Sequence, residues 1–281
     1  PYLREMLDSV RNQTYQKWQL CIANANPENE EVARILNQYI EMDKRIQTVN
    51  VPENLGIAQN TNKALSIAKG DYIGLLDHDD MLAADALFEV AKTVNDENAD
   101  VIYTNEDKIT MSGEKHFQPN FKPEFNLDML RSNNYICHFF IAKASLMKEI
   151  GGFRGEYNGA QDYDMIFRCT ERADNIVRIP KVLYHWRMHE QSTAENPESK
   201  RYAFDAGKKV IEDHLKRCGE SAEVQMTEYP GFYRVKYAIK EKPRVSVVIV
   251  KETKNMIPKD TLIKIADDYG RDRVEFCVVD G

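Results

Sequence analysis

A chain of 281 residues, 42% hydrophobic and 30% charged, carries enough apolar material for a full core and has the profile of a soluble globular protein. Its 45 acidic against 38 basic residues leave a net charge of −7, which argues against nucleic acid as the main partner, because phosphate backbones are held by clustered Lys and Arg. No apolar run approaches the length of a membrane span and no signal peptide is evident, so the default compartment is the cytoplasm.

In chain order, Tyr2, Leu3, Met6, Leu7 and Val10 lie on one helical face. Trp18 to Ala23 reads as a strand, and Val32, Ile35, Leu36, Tyr39 and Ile40 mark a second amphipathic helix. A short strand, Arg45 to Val51, stops at Pro52 and turns through Asn54-Leu55-Gly56 into a helix that Gly70 closes. Tyr72 to Leu76 is a strand, apolar along most of its length as buried parallel strands are. Helix Ala83 to Val94 and strand Asp100 to Thr104 continue the alternation, which predicts βαβ units and a mainly parallel central sheet with helices on both faces, an α/β fold.

After Glu106 the pattern changes. Met111 to Glu114 reads as a hairpin tip, Ile136 to Ala142 as a strand, Gln161 to Glu171 as a helix and Ile176 to Tyr184 as a strand. An aromatic and histidine-rich loop, His185 to Ser192, leads into a polar helix over Pro197 to Arg217. The five dispersed cysteines, Cys21, Cys137, Cys169, Cys218 and Cys277, lack the spacing of a zinc or redox motif and read as reduced core residues. His116, His138 and His214 read as surface or satisfied core histidines.

The chain opens at Pro1 inside a helix and closes on a strand, the pattern of a piece of a longer polypeptide. Residues 241–281 restart the opening pattern and read as the start of a second, similar βαβ unit after a domain over 1–240. Its Val-rich strand, Val245 to Val250, is apolar enough to dock on an incomplete first sheet, within one chain or by exchange that makes a homo-oligomer.

The chemistry concentrates at Asp77-His78-Asp79-Asp80, directly after a buried strand. In open α/β sheets the ligand crevice lies outside the carboxyl ends of the strands. Packed carboxylates there repel one another unless a cation intervenes, and hard oxygen ligands suit Mg²⁺ or Mn²⁺. The alternative is an acidic turn capping the next helix, for which Asp80 suffices. These residues alone leave the two readings open.

Context separates them. Asn54-Leu55-Gly56-Ile57-Ala58 with Asn62, then Lys69-Gly70-Asp71-Tyr72-Ile73 leading to Leu76-Asp77-His78-Asp79-Asp80, occur in order. Gly151-Gly152-Phe153, Gln161-Asp162-Tyr163-Asp164, Arg178-Ile179-Pro180 and Tyr184-His185-Trp186-Arg187-Met188-His189 follow. This ordered set resembles the family 2 glycosyltransferases of the GT-A fold, over residues 1 to about 195. The resemblance implies an inverting, metal-dependent enzyme that moves a sugar from a nucleotide-diphosphate donor, UDP-linked by preference, to a hydroxyl of a glycan or glycoprotein acceptor. The setting it implies is surface-polysaccharide synthesis on the cytoplasmic side of a bacterial membrane.

The same resemblance implies roles. Asp77 and Asp79 would hold Mn²⁺ or Mg²⁺, with His185 as a third ligand. Asp162 would be the general base, supported by Asp164. Asn24, Asn26, Asn54, Asn62, Asp77 and His78 would contact the donor. His189, with Arg187, would sit on a loop able to close on the diphosphate. Trp186 reads as a packing residue, with an acceptor-side platform as the alternative. There are two departures: the family's first strand has no counterpart ahead of Pro1, and Asn24-Ala25-Asn26 stands where the family has an acidic pair. Competing expectations are a dTDP-rhamnose-type transferase and a degenerate, non-catalytic glycan-binding or scaffold module.

Overall fold

The computed structural model describes residues 2–188, 201–241, 243–251 and 258–280; His189 and the predicted start of the long helix lie outside them. The chain divides into two units, Pro1–Lys236 and Tyr237–Gly281.

In the first unit, helix α1 (Tyr2–Arg11) buries Met6, Leu7 and Val10 at helical spacing. Strand β1 (Leu20–Asn24) and β2 (Ile46–Asn50) flank α2 (Glu30–Met42). The Asn29 side chain caps α2 by accepting from the Glu31 and Val32 amides. β1 and β2 pair in parallel, from Leu20 opposite Ile46 to Asn24 opposite Asn50. There follow α3 (Ile57–Ser66), β3 (Tyr72–Gly74), β4 (Met81–Leu82), α4 (Ala86–Glu97), β5 (Val101–Ile109) and β6 (His116–Asn120). Then come α5 (Leu127–Ser132), β7 (Phe140–Lys143), α6 (Ala144–Glu149), α7 (Gln161–Thr170) and β8 (Ile176–Arg187). Helix α8 (Arg201–Arg217) and the two-stranded β9 (Ala222–Met226) and β10 (Tyr233–Tyr237) complete it.

The central sheet has six strands in the order β3-β7-β5-β8-β4, with β6 on β5. β5 and β8 run parallel, but β3–β7, β5–β7, β4–β8 and β5–β6 are antiparallel, so the sheet is more mixed than the alternation predicts. The reason is connectivity. Parallel neighbours need a crossover, which α7 supplies between β5 and β8; β6 returns directly through a hairpin and enters antiparallel.

Period-2 alternation on β5 sorts the two cores. Val101 and Tyr103 face one cluster with Phe140, Ala142, Met165 and Ile166, under α7 and α8. Ile102 faces the other, with Leu7, Leu36, Val90, Ile141 and Val177, under α1, α2 and α4. Helices thus cover both faces, as expected.

Boundaries shift where polar residues find partners. The β5 strand runs on through Asn105, Glu106 and Asp107, all buried, because β8 pairs with it to Arg187. β3 ends early, at Gly74, as the chain turns into the acidic loop. α4 starts at Ala86 rather than Ala83 and closes on Asn98, which takes the left-handed conformation at φ 49°. All five cysteines are free; Cys169 is buried, but Cys218 and Cys277 are exposed and not core residues.

In the second unit β11 (Val245–Lys251) and β12 (Val274–Asp280) pair in parallel, with α9 (Lys259–Tyr269) between them in the chain. The Tyr269 hydroxyl donates to the Pro243 carbonyl at 2.8 Å. Among the described residues, no helix is long and apolar enough to cross a membrane.

Candidate active site

The acidic loop is held from behind. After β3 the Leu75 amide still donates to the Phe140 carbonyl (3.1 Å), then the chain turns with the Asp80 amide on the Asp77 carbonyl (3.3 Å). It re-enters the sheet as β4, with Met81 and Leu82 opposite His185 and Tyr184. Asp80 is buried; its carboxylate accepts from the Tyr184 hydroxyl at 2.6 Å and the Arg187 amide at 2.8 Å. It is therefore a strut of the loop and not a helix cap: α4 has Asp85 at that position. Burial, only partly opposed by those two donors, pushes the Asp80 carboxyl up to about 7.

Arg187 completes the frame. Its side chain is wholly buried. Nε donates to the Asp79 carbonyl at 2.7 Å, one terminal nitrogen to the Met111 carbonyl at 2.7 Å, and the other to the Glu5 carboxylate at 2.6 Å. The expectation that Arg187 rides a closing loop is thus corrected: it ends β8 and ties the acidic loop, the β5–β6 hairpin and α1 together. With Asp80 and the loop backbone occupied, Asp77 and His78 face outward, at 60% and 84% side-chain exposure, and Asp79 is at 18%.

A second layer lies beneath Asp77. His138 Nε2 is 3.8 Å from the Asp77 carboxylate, and its backbone amide donates to Glu106 at 2.7 Å while Nδ1 stands 3.3 Å from the same oxygen. The imidazole stacks on Tyr184 at 4.8 Å. Lys122, buried, approaches Glu106 at 3.4 Å and donates to the carbonyls of Ile136 and His138. Burial disfavours the imidazolium, but Glu106, Asp77 and Asp80 outweigh it and raise His138 to about 9. Crowding by protein atoms raises Asp77 while His138 lowers it; at 60% exposure water moderates that rise. Glu106 and Lys122 are not singled out by the sequence, and His138 reads there only as a surface or satisfied core histidine. The signal was present: Asn105-Glu106-Asp107 continues an apolar strand into carboxylates, as Leu76-Asp77 does, and His138 interrupts an apolar run.

Asp162 lies in the first turn of α7, where the helix dipole favours its charge. Its Oδ2 accepts from Asn134 Nδ2 at 3.0 Å. The segment that holds it also reaches the acidic loop: Asn134 donates to Asp162, and His138, four residues on, lies 3.8 Å from Asp77. Burial raises the Cys137 thiol on the same segment. Asp164, fully buried, is held by Arg154 at 3.1 Å and Arg168 at 2.9 Å. Arg168 also donates to the Ile150 and Gly152 carbonyls, fixing α7 to the Gly-Gly-Phe turn.

The other predicted residues have these partners. Asn62 holds that same turn: its amide both accepts from and donates to the Phe153 backbone, each at 2.8 Å. Gly152 has φ +73°, and a Cβ there would stand 2.6 Å from Asn62 Oδ1, so only glycine fits. Asn54 accepts from the Gly56 amide and Asn60, shaping the turn ahead of α3. Asn24, buried, donates to Asn50 at 3.3 Å and accepts from the Asn26 amide; Asn26 is exposed. His185 Nδ1 lies 2.6 Å from Asp107, which also meets His116 at 2.9 Å. Among the described residues its ligand-type atoms group with Asp107 and His116, whereas Asp77 groups with Asp80 and His138. His116 is thus a partner of Asp107. His214 is the satisfied core histidine expected, between Arg131 at 3.1 Å and Glu171 at 2.6 Å.

With this geometry in view, the comparisons with known proteins are specific. A sequence profile described as "Glycosyl transferase family 2" matches residues 1–151, more than half the chain. The chain belongs to glycosyl transferase family 2. It is 42% identical over 251 residues to the protein y4gI of Sinorhizobium fredii, covering 88% of this chain and 28% of that one. It is 33% identical over 249 residues to the O-antigen biosynthesis protein RfbC of Myxococcus xanthus, covering 88% and 19%. The chain thus spans less than a third of the length of these relatives. The crystal structure of S. aureus TarS 1-349 with UDP-GlcNAc superposes with a TM-score of 0.61 at 19% identity, covering 76% of this chain and 62% of that one. The fold is GT-A.

The partly buried His138 carries a pH signature. His138 is raised from 6.5 to about 9 by its carboxylate partners. Protons are then bound more tightly in the folded state, so the stabilisation is fully present below pH 6.5 and is lost as pH rises through about 9. It amounts to about 3 kcal/mol at most. Urea unfolding of the metal-free protein between pH 6.5 and 9.5 should show this decline in wild type and not in His138→Gln. Parallel curves for the two proteins would contradict it.

Proposed function

We propose that this chain carries an inverting glycosyltransferase site that moves a sugar from a nucleotide-diphosphate donor, UDP-linked, to a hydroxyl of a surface glycan or polysaccharide. The observation that carries the reading is that one short segment reaches both carboxylates: Asn134 Nδ2 lies 3.0 Å from Asp162, at the start of α7, and His138 Nε2 lies 3.8 Å from Asp77, after β3. These residues are distant in sequence and come from the two halves of the family pattern. TarS, whose structure holds UDP-GlcNAc, supports a UDP-sugar donor, and RfbC, named for O-antigen biosynthesis, supports a glycan acceptor.

The donor set fits a hard divalent cation. Asp77 is exposed on the loop, backed by His138 at 3.8 Å, and Asp79 is a partly buried carboxylate two residues on. Asp77 and Asp79 would hold Mn²⁺ or Mg²⁺, whose chemistry there is to neutralise the diphosphate as a leaving group. Asp162 accepts the proton of the acceptor hydroxyl as its oxygen attacks the anomeric carbon from the face opposite the diphosphate. The sugar–phosphate bond breaks with its electron pair on the nucleoside diphosphate, so the anomeric centre inverts. Buried Asp164 and its two arginines keep the first turn of α7 in place during this step.

Two variants test separate parts. Asp79→Ala should abolish Mn²⁺-dependent UDP binding in calorimetry while the melting curve is kept, since removing one carboxylate relieves repulsion; undiminished metal-dependent binding would contradict the metal assignment. Asp162→Asn keeps shape but cannot take a proton, so turnover of UDP-GlcNAc or another accepted UDP-sugar should fall ~10²–10⁴-fold with UDP affinity unchanged. Loss of affinity with turnover preserved at saturation would make Asp162 a binding residue instead.

A further inference from the structure

Asp162 does not meet the acceptor side unaided. Its Oδ2 takes the Nδ2 hydrogen of Asn134 at 3.0 Å. Asn134 Oδ1 is buried and has no hydrogen-bond partner among the described residues. Reversing the amide would put that oxygen against a carboxylate oxygen, so the donating orientation is the one the chemistry allows. A buried acceptor without a partner does not serve stability. What this side chain does is donate to Asp162.

Its backbone is fixed on both sides. The Asn133 amide closes α5 on the Met129 carbonyl at 3.0 Å, and the buried Tyr135 hydroxyl accepts from the Asn126 amide at 2.9 Å. Tyr163, next to Asp162, donates to the Leu130 carbonyl, so α7 and the Asn134 segment are tied to each other independently of the Asn134–Asp162 bond. A donor set on this rigid pair of segments fixes the rotation of the Asp162 carboxylate.

We propose that Asn134 is a positioning residue for the transfer step: it holds Asp162 Oδ2 and leaves Oδ1 to receive the acceptor proton. The proposal rests on the reading of Asp162 as general base. In the step the acceptor oxygen bonds to the anomeric carbon, its proton passes to Oδ1, and the nucleoside diphosphate leaves with the electron pair of the broken bond. Asn134 exchanges no proton.

The test is a double-mutant cycle in the full chain, following UDP release from UDP-GlcNAc with water as acceptor, and UDP affinity with Mn²⁺ by calorimetry. Asn134→Ala should lower kcat ~10- to 100-fold, the scale of a misplaced reacting group, with UDP affinity unchanged. Asn134→Ala combined with Asp162→Asn should be no slower than Asp162→Asn alone, because both remove one function. Asn134→Asp keeps the size and replaces the donor by a like charge at pH 8; it should lose at least as much, and covers the case in which alanine disturbs folding. Near-wild-type kcat in a folded Asn134→Ala protein, losses that multiply in the double variant, or a loss carried by UDP affinity would each overturn the positioning role. If Asp162→Asn itself turns over normally, the base reading fails and the positioning role with it. If Asp162→Asn is slow and Asn134→Ala is not, the positioning role alone fails.

Discussion

Everything about the site depends on how one buried arginine meets one acidic turn. Arg187 has no solvent access, yet it places a hydrogen on the Asp79 carbonyl, another on the Met111 carbonyl and an ion pair on Glu5. Its own amide reaches Asp80. Carboxylates packed on a short turn repel one another, and the cheapest escape is for the turn to open. Here the backbone and Asp80 are held from inside, so the turn stays closed with Asp77 exposed and Asp79 partly buried. Lysine could not substitute, because a single ammonium lacks the planar fork that reaches three groups at fixed angles.

The interior balances the charge behind that surface. Glu106 sits against His138 and Lys122, and His138 also reaches Asp77. Buried charges are tolerated when paired and hydrogen-bonded, and Lys122 meets this by donating to the carbonyls of Ile136 and His138. The site is therefore two-layered: the acidic loop with exposed Asp77 outside, and inside it the paired ions Glu106, His138 and Lys122. On the far side, Asp164 with Arg154 and Arg168 does the same for α7, so Asp162 is presented from a rigid turn.

Much of this was legible in the sequence, for local reasons. Strand followed by acidic turn, glycines closing helices, and the ordered segments from Asn54 to Arg187 carry the GT-A fold and the family. What could not be read is tertiary. Asn54 and Asn62 carry the expected spacing, yet Asn62 spends its amide on the Phe153 backbone 91 residues away, a partner no local pattern reveals. His185 has the sequence context of a metal ligand, but parallel pairing of β5 with β8 sets it opposite Asp107. Glu106 was hidden because polar residues in a strand read as its end; β8 pairing carried β5 on through it. Arg187 looked like a loop residue for the same reason. The role of His138 depends on Glu106 and Asp77, distant partners that no local pattern reveals.

The central claim, that Arg187 frames the acidic turn, is most directly tested by urea unfolding of Arg187→Met against wild type. The substitution keeps a long apolar stem but orphans the Asp79 and Met111 carbonyls and leaves Glu5 without its partner. The account predicts a loss of ~2–5 kcal/mol. A change within about 0.5 kcal/mol, the range of an ordinary surface substitution, would contradict it.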